Sequence, residues 1–400
     1  MMKIAVVADA HIFKTPDGHY WSRSVENYEF WTRYLNVFED LRVISRVKEV
    51  DCVDQSYSRM DGPHIEVSHV PFFRGPKQLL KRFFLIQKSL KKAFEGCDCA
   101  LFRVPSLTAF MAWRHFPKSK PCAAEIVSCT RDYLVREKRG INKFFHYVIH
   151  KELKRICKRA NGTAYVTEKA IQRYYPSYVH VHGEDDKHFT TSYSTITLQN
   201  DSFSSPRSYV GSRSIALAIT NDSMNGYNKG EHIVIRIVSE ARKRGYNLSA
   251  IVIGDGSKKK EFEHLSIELG VSDFIQFVGH ISSPKELRSL LQRADIYVLP
   301  TQVEGLPRSV LEAMAVGMPV LSTPVGGIPE IIDGDCLFSP DDVDGFTNKI
   351  CFLADNPLEL DKLSSRNFAR AKDFRSEVLS PKRASFYMKL KQLSRNQNND

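Results

Sequence analysis

The sequence lacks the features that mark a membrane-embedded or an exported protein. No apolar run among its 400 residues approaches the ~20 residues that a membrane-spanning helix requires. The start, from Met1 to Asp9, reaches an acidic residue too early for a secretory signal peptide, and it predicts a first core strand instead. We therefore expect a cytoplasmic protein rather than an integral membrane protein.

The spacings of a metal site and of a disulfide framework are also missing. The eight cysteines, in a chain without an export signal, predict reduced thiols. Cys97 and Cys99, with Cys122 and Cys129 downstream, match no usual zinc spacing, and no paired histidines follow them. Asp333-Gly334-Asp335 has the form of an Asp-x-Asp metal motif, but its glycine-containing turn favours ordinary loop structure. We expect neither a bound metal nor another cofactor.

Acidic residues are scarce in the first half of the chain. Residues 1–200 contain 32 Lys and Arg but 21 Asp and Glu, whereas residues 201–400 contain 25 of each. The whole net charge of +11 therefore lies in the first half. This asymmetry predicts two halves with different partners.

Two basic stretches in the first half point to one kind of partner. Residues 77–92 contain six basic residues and no acid, and their apolar residues recur at spacings of three and four, which predicts an amphipathic helix of the type that lies on anionic lipid. A second basic stretch covers residues 136–159. A solvated helix face explains one such stretch, and nucleic acid attracts the same charge, but no nucleic-acid-binding module is recognisable. We expect contact with an anionic membrane surface, at the inner face of the plasma membrane, and no nucleic-acid partner.

Short apolar strands alternate with longer helical patterns along the whole chain. This order is typical of parallel βαβ units. A polar stretch rich in turn-forming residues, residues 199–214, predicts a linker. We predict the α/β class with two doubly wound, Rossmann-like domains that face a cleft, over residues 1–205 and 206–375. We expect a helix over residues 376–400 to return toward the first domain.

The most informative segment follows a predicted buried strand that ends at Pro300. A tight turn at Gly305 and Pro307 leads the chain into a helix. The free N–H groups and positive dipole of a helix N-terminus suit a diphosphate. Glu304 directly precedes this turn, so its carboxylate can face a sugar attached to the phosphate. Glu312 follows about one turn into the helix.

Both glutamates also have simpler interpretations. Glu304 fits an exposed loop acid, and residues 309–312 fit a capping box in which Glu312 satisfies the end of a helix. Their spacing alone arises by chance at ordinary glutamate usage, so the surrounding residues must decide.

Four short motifs follow one another in this segment. They are Glu304-Gly305-Leu306-Pro307, Glu312-Ala313-Met314-Ala315, Gly317-Met318-Pro319-Val320 and Gly326-Gly327-Ile328-Pro329-Glu330. Together, over residues 215–334, the chain resembles glycosyltransferase family 4, whose members are retaining enzymes of the GT-B fold that use nucleotide sugars. The first half is similar to the subgroup acting in bacterial surface polysaccharide assembly, through residues 30–35, 103–106 and 164–168.

The resemblance implies a role for each matching residue. It assigns the donor sugar hydroxyls to Glu304 and the departing diphosphate to Lys229, so these two are the expected catalytic residues. It assigns the donor phosphates to the backbone of Gly305, Leu306 and Pro307. The residues expected to bind the nucleotide are Glu312, Gly254, Gly256, Gly279 and His280.

The chain departs from the family pattern at two places. The family places an arginine after the first strand of the donor domain, whereas residues 218–223 contain none, so Lys229 acts alone with backbone amides or another base such as Arg308 contributes. The glycine loop after the first strand of the chain is reduced to Gly18. Glu125 and Asp132 are the best candidates for acceptor contact, with ordinary loop acids as the alternative.

These observations predict a metal-independent, retaining hexosyltransferase of lipopolysaccharide or capsule biosynthesis. It takes the sugar from a nucleotide diphosphate sugar, of UDP or GDP type, and transfers it to a lipid-linked glycan. No protein nucleophile is required, in agreement with the absence of a Ser-His-Asp arrangement. The alternatives are a catalytically weak or silent nucleotide-binding GT-B protein that assists polysaccharide assembly, and an epimerase or phosphorylase on the same architecture.

Overall fold

The structure, a computed structural model, describes residues 1–23, 26–136, 140–209 and 214–399. The chain divides into two compact units, a first unit of Met1–Tyr193 with Ser380–Asp400 and a second unit of Ser194–Leu379. The boundaries predicted after residues 205 and 375 both lie inside the second unit. Residues 194–205 belong to the second unit because they pack on it. The Ser204 N–H, for example, donates to the carbonyl of Ala315 (3.1 Å).

The first unit alternates strands and helices in the manner of βαβ units. Its strands are β1 (Lys3–Lys14), β2 (Tyr20–Ser22), β3 (Asp40–Glu49), β4 (Ser58–Arg59), β5 (Ile65–Pro71), β6 (Cys99–Val104), β7 (Cys122–Ile126), β8 (Gly162–Tyr165) and β9 (Phe189–Ser192). Its helices are α1 (Tyr28–Leu35), α2 (Gly75–Lys92), α3 (Leu107–Trp113), α4 (Arg131–Arg136), α5 (Ile141–Arg159) and α6 (Tyr178–His182).

The sheet of the first unit is parallel along the path β5-β3-β1-β6-β7-β8-β9, with β2 and β4 added in antiparallel orientation. The chain builds the sheet outward in one direction to β5 and then crosses back to β6 and beyond. Because such crossovers are right-handed, α2, α3 and α5 lie on the same face of the sheet. The central strand β1 is covered on both faces, because the neighbouring residues Val6 and Val7, which point to opposite faces, are both fully buried.

The second unit repeats this architecture on a smaller scale. Its strands are β10 (Ile215–Asn221), β11 (Leu248–Gly254), β12 (Ile275–Gly279), β13 (Ile296–Leu299) and β14 (Val320–Ser322). Its helices are α7 (Glu231–Lys243), α8 (Lys259–Glu268), α9 (Pro284–Gln292), α10 (Arg308–Ala315), α11 (Val343–Asp355) and α12 (Pro357–Ala371), and the chain ends with α13 (Ser376–Asn399).

The second sheet is parallel throughout, in the order β12-β11-β10-β13-β14. The direction of winding reverses between β10 and β13. In doubly wound sheets, ligands bind outside the carboxyl ends of the two strands at such a reversal. The α/β class and the two doubly wound sheets predicted from the sequence are confirmed.

The predicted linker is packed rather than loose where the structure describes it. Arg207 donates its Nε to the carbonyl of Val316 (3.0 Å) and an Nη to the carbonyl of Leu291 (3.1 Å). These carbonyls lie at the ends of α10 and α9, where helices leave acceptors unsatisfied. Residues 199–209 of the predicted linker therefore pack on the second unit, and residues 210–213 lie outside the described ranges.

The two basic stretches form helices as predicted. Residues 77–92 lie in α2, and residues 141–159 form α5, while residues 137–139 lie outside the described ranges. None of the helices in the described part of the chain is both long enough and apolar enough to cross a membrane.

Candidate active site

Two loops meet at the reversal of the second sheet. One loop follows β10 and the other follows β13, and they are joined by their backbones. The Gln302 N–H donates to the carbonyl of Asn228 (2.8 Å), and the Thr301 hydroxyl donates to the same oxygen (3.1 Å). The residue after Asn228 and the third residue after Thr301 are therefore held at the carboxyl ends of the two central strands.

Those two residues are Lys229 and Glu304. The ammonium of Lys229 donates to Glu304 Oε1 and forms an ion pair with it, although the residues are 75 positions apart in the sequence. Their side chains are 32% and 11% exposed, so both remain accessible at the edge of the sheet. The structure thus brings together the cation and the carboxylate that were predicted as the catalytic residues.

Gly230 explains how the two loops approach so closely. Its φ of +90° lies in the left-handed region, and a Cβ at this position would stand 2.5 Å from the carbonyl oxygen of Pro300. Only glycine tolerates both conditions, and the chain then enters α7 at Glu231. The local sequence Lys229-Gly230 is therefore required for the geometry of the site.

The turn predicted to bind phosphates is buried and braced from behind. Gly305, Leu306 and Pro307 are buried, and the Gly327 N–H donates to the Gly305 carbonyl (2.6 Å). Helix α10 begins directly after Pro307, and no side chain caps its N-terminus within the described residues. Its first N–H groups and its positive dipole end are therefore available to an anion, which agrees with the predicted role.

Glu312 lies in the second turn of α10 and is half-buried. Burial raises the pKa of its carboxyl group, and the guanidinium of Arg308, 3.9 Å away, opposes this rise. The capping-box alternative was wrong, because α10 begins at Arg308 and Ser309 is already inside the helix. Glu312 is thus a partly desolvated carboxylate beside the helix N-terminus, a position that suits a hydrogen bond to a ribose hydroxyl.

Two of the glycines predicted to bind the nucleotide lie on the adjacent loop. Gly254 ends β11 with φ +137°, and a Cβ there would overlap the carbonyl of Asn221. A Cβ on Gly256, whose φ is +156°, would stand 2.6 Å from the carbonyl oxygen of Met224. These contacts press the loop after β11 onto the loop that carries Lys229. One strand further out, Gly279 ends β12 and half-buried His280 follows it.

Sequence reasoning missed a buried acid beneath the site. Glu231 is fully buried at the start of α7 and accepts a hydrogen bond from the amide of Asn221, at the end of β10. Burial raises the pKa of Glu231, while the Asn221 amide and Lys229 oppose the rise. A glutamate as the first residue of a helix, directly after glycine, was the available signal.

Glu125, predicted to contact the acceptor, is a core residue instead. It lies inside β7 and is 3% exposed. Its carboxylate pairs with Arg103 (2.7 Å) and accepts hydrogen bonds from Tyr193 (2.8 Å) and Tyr387 (2.7 Å). Burial alone would raise the pKa of Glu125, but Arg103 and the tyrosine hydroxyls hold it below its ordinary value. With a further hydrogen bond from the Tyr34 hydroxyl (3.3 Å), the acceptor positions of this carboxylate are used within the first unit.

The other two acceptor-side candidates lie in separate places. Gly18 occupies the turn between β1 and β2 with φ +89°, and Asp132 is the second residue of α4, half-buried. Their contact with an acceptor stays a prediction, and so does a contribution of Arg308 in place of the missing arginine.

The metal-like triplet has a structural explanation. Asp333 pairs with Arg366 (2.5 Å) and Asp335 pairs with Lys349 (2.7 Å), so both carboxylates are neutralised by basic side chains of the second unit. The eight cysteines are free thiols.

The structure defines an α/β protein with a candidate ligand site at the winding reversal of a doubly wound sheet. A lysine, a glutamate and a helix N-terminus flank this candidate site. Residues 225–370, which include Lys229, Glu304 and Glu312, match the family model described as "Glycosyl transferases group 1". These residues therefore match a glycosyltransferase domain, which confirms the predicted resemblance of this segment to glycosyltransferases.

The chain is similar to curated proteins over different lengths. Protein CapJ of Staphylococcus aureus is 26% identical over 351 residues, which cover 87% of this chain and 85% of CapJ. The Vi polysaccharide biosynthesis protein VipC/TviE of Salmonella typhi is 37% identical over 93 residues, which cover 23% of this chain and 16% of that protein.

Solved structures support the fold over the whole chain. The sucrose-phosphate synthase of Thermosynechococcus elongatus superposes with a TM-score of 0.71 over 100% of both chains, at 16% sequence identity. At this identity the likeness is one of fold, and the fold is the GT-B fold expected from the sequence.

Proposed function

We propose that this chain is a retaining, metal-independent glycosyltransferase of family 4 that acts in polysaccharide biosynthesis. The donor is a nucleotide diphosphate sugar of UDP or GDP type, and the sugar is a hexose. The observation that carries the proposal is the Lys229–Glu304 ion pair at the winding reversal, beside the N-terminus of α10 and within the matched domain. The polysaccharide context is supported by the similarity to the Vi polysaccharide biosynthesis protein.

The chemistry follows from the charges of the site. The bond between the anomeric carbon and the diphosphate oxygen breaks while Lys229 and the N-terminus of α10 stabilise the departing negative charge. Glu304 holds the sugar hydroxyls and so fixes the ring over the site. The acceptor hydroxyl attacks the same face of the anomeric carbon, and its proton passes to an oxygen of the leaving diphosphate. The configuration is thereby retained without a protein nucleophile.

The acceptor in this proposal is a lipid-linked glycan at an anionic membrane surface. Support comes from α2, which exposes Leu80 and Phe84 (74% and 86% exposed) among six basic residues and no acid. Helix α5 exposes Phe144 (67% exposed) and is also basic. Both helices lie on the same face of the first sheet, so one surface offers apolar side chains for insertion and cations for lipid phosphates.

A direct assay tests the proposed reaction. The purified protein is incubated with each common UDP- and GDP-hexose and with membrane lipid extract, and products are separated and analysed for anomeric configuration. We expect transfer from one donor with retention, and equal transfer in the presence of EDTA. Inversion at the anomeric carbon would contradict the mechanism, and abolition by EDTA would contradict metal independence.

The missing arginine favours one alternative, a nucleotide-binding protein with little or no turnover. Residues 218–223 contain no arginine, so the cationic charge near the donor phosphates comes from Lys229 and from any contribution of Arg308. Nucleotide binding without transfer or donor hydrolysis, across the donor panel, would support this alternative and overturn the enzyme.

A further inference from the structure

A second candidate site lies in the first unit. A cavity of about 850 Å³ opens where β3 and β5 end and along the later part of β1. It is lined by His11 of β1, Lys48 near the end of β3 and His69 of β5. Arg74, which directly precedes α2, and Arg82 within α2 complete the charged lining on that side. In this parallel sheet, the carboxyl ends of the strands form the edge at which doubly wound folds bind ligands.

Basic side chains outnumber acidic ones around this cavity. Lys48, Arg74 and Arg82 are cations, whereas Glu49 is the acid among the lining residues. Arg82 donates to the carbonyl of Phe72 (2.6 Å). Within the described ranges, neither the ammonium of Lys48 nor the guanidinium of Arg74 has an ion-pair or hydrogen-bond partner. Two cations at the cavity therefore keep their hydrogen-bond donors available.

The two histidines that line the cavity have a lowered pKa, for which burial is the main cause and nearby cations are a further one. Burial lowers the pKa of His11, and the charge of Arg46 adds to this effect. Burial also lowers the pKa of His69, with a further contribution from Lys14, and the ring of His69 is hydrogen-bonded to the hydroxyl of Tyr20 (2.7 Å). An anion bound in the cavity would reduce this repulsion and add acceptors for the unused donors.

We propose that this cavity binds a phosphate or diphosphate group. In the context of the proposed function, on which this part rests, the group is the phosphate that joins the acceptor glycan to its lipid. The cavity borders the first turns of α2, and the same helix exposes Leu80 and Phe84. Helix α2 therefore borders a cationic cavity that suits a phosphate and exposes apolar side chains that suit an adjacent hydrocarbon chain.

Binding of inorganic pyrophosphate tests the cavity. The titration uses Lys229→Met protein, so that the donor site does not contribute, and the same protein with Lys48→Gln and Arg74→Gln added. We expect the added pair to raise the dissociation constant about tenfold or more, because charge-assisted hydrogen bonds to phosphate are lost. An unchanged dissociation constant would overturn the proposal. Failure of the Lys229→Met protein itself to bind pyrophosphate would overturn it as well.

A matched control separates the site from net charge. Lys118→Gln with Lys187→Gln removes the same charge from two exposed lysines that precede β7 and β9. These lie at the amino ends of the strands, on the opposite edge of the sheet, so we expect pyrophosphate binding to be unchanged. If the control pair weakens pyrophosphate binding as much as the Lys48 and Arg74 pair does, net charge alone explains the effect. That result would overturn the proposed site.

Vesicles distinguish a lipid phosphate from a free one. Phosphatidylcholine vesicles with a minor fraction of phosphatidic acid should displace pyrophosphate, whereas pure phosphatidylcholine vesicles should not. Failure of displacement would overturn the lipid-linked part and leave a site for free phosphate compounds. Nucleotide binding by the native protein is measured in parallel. Its absence would count against the transferase without affecting the cavity, and its presence with no pyrophosphate effect would count against the cavity alone.

Discussion

Gly326 lies directly against the backbone of Glu304, so that a Cβ on Gly326 would overlap the Glu304 carbonyl oxygen. Gly326 has φ +54°, and the next residue, Gly327, donates its N–H to the Gly305 carbonyl (2.6 Å). The turn after β14 therefore supports the loop that presents the Glu304 carboxylate to Lys229. This contact gives the Gly-Gly motif a structural role beside the proposed donor site.

Gly326→Ala should damage the donor site through this contact. The new methyl group displaces the Glu304 loop and the residue is strained at positive φ, so we expect the free energy of unfolding to fall by about 2 kcal/mol. Nucleotide affinity should fall as well. The control is Gly334→Ala, where the Cβ meets open space and φ is not positive, and where we expect a change within about 0.5 kcal/mol. Equal effects of the two substitutions in denaturant unfolding would contradict this role.

Substitution of Glu304 should act mainly on turnover. Glu304→Ala and Glu304→Gln both remove the carboxylate that holds the sugar and partners Lys229, and we expect transfer to fall on the order of 10²-fold or more. Glu268→Gln, which removes an exposed acid from α8, should leave transfer unchanged. Steady-state rates with saturating donor measure the effect, and native-like turnover of Glu304→Ala would remove Glu304 from the reaction.

Stability should depend on pH through Glu231. Burial raises the pKa of Glu231 in the folded state. At pH values between the ordinary glutamate pKa and this raised pKa, the folded chain therefore keeps a proton that the unfolded chain loses. The free energy of unfolding is therefore highest at low pH with respect to Glu231, and it falls as pH rises through that window by at most about 1.4 kcal/mol per pH unit. Glu231→Gln removes the titration and keeps an oxygen for Asn221. The variant should therefore gain stability relative to the native protein as pH rises above the ordinary glutamate range, and a pH-independent difference would contradict the assignment.

Membrane binding should require the exposed apolar residues of α2. Leu80→Ser with Phe84→Ser removes two exposed side chains without opening the core, so folding should be unaffected while partitioning onto anionic vesicles falls about tenfold or more. Phe352→Ser with Leu358→Ser changes two exposed apolar residues of the second unit and should leave partitioning unchanged. Salt should release the native protein from the vesicles. Undiminished binding of the α2 variant in vesicle sedimentation would speak against this surface.

The second unit was largely predictable because its signals are local. The apolar strands carry few charges, and the motif from Glu304 to Glu312 contains both the turn and the start of α10. Strand β3 was missed for the opposite reason, since Arg42, Arg46 and Lys48 interrupt its apolar residues. Arg46 is nevertheless buried, because Asp9 neutralises it at 2.8 Å. Such a pairing between distant residues cannot be read from a local pattern.

The error at Glu125 has the same origin. Glu125 was predicted to contact the acceptor, with an ordinary loop acid as the alternative. In the fold it is enclosed by Arg103 and by tyrosines at positions 34, 193 and 387, which come together only when the C-terminal helix packs on the first unit. The lining of the phosphate cavity was likewise missed because its residues come from three strands and a helix.

The central claim is that Lys229 and the N-terminus of α10 form a nucleotide diphosphate site. We would measure thermal unfolding of the native protein and of Lys229→Met with UDP, GDP and ADP and with their sugar conjugates. A ligand present at 100 times its dissociation constant stabilises by about 2.7 kcal/mol, which corresponds to a shift of a few degrees. The account predicts that one nucleotide family raises the midpoint of the native protein and raises that of Lys229→Met much less. If no nucleotide shifts the native midpoint, or if both proteins shift equally, the account is contradicted.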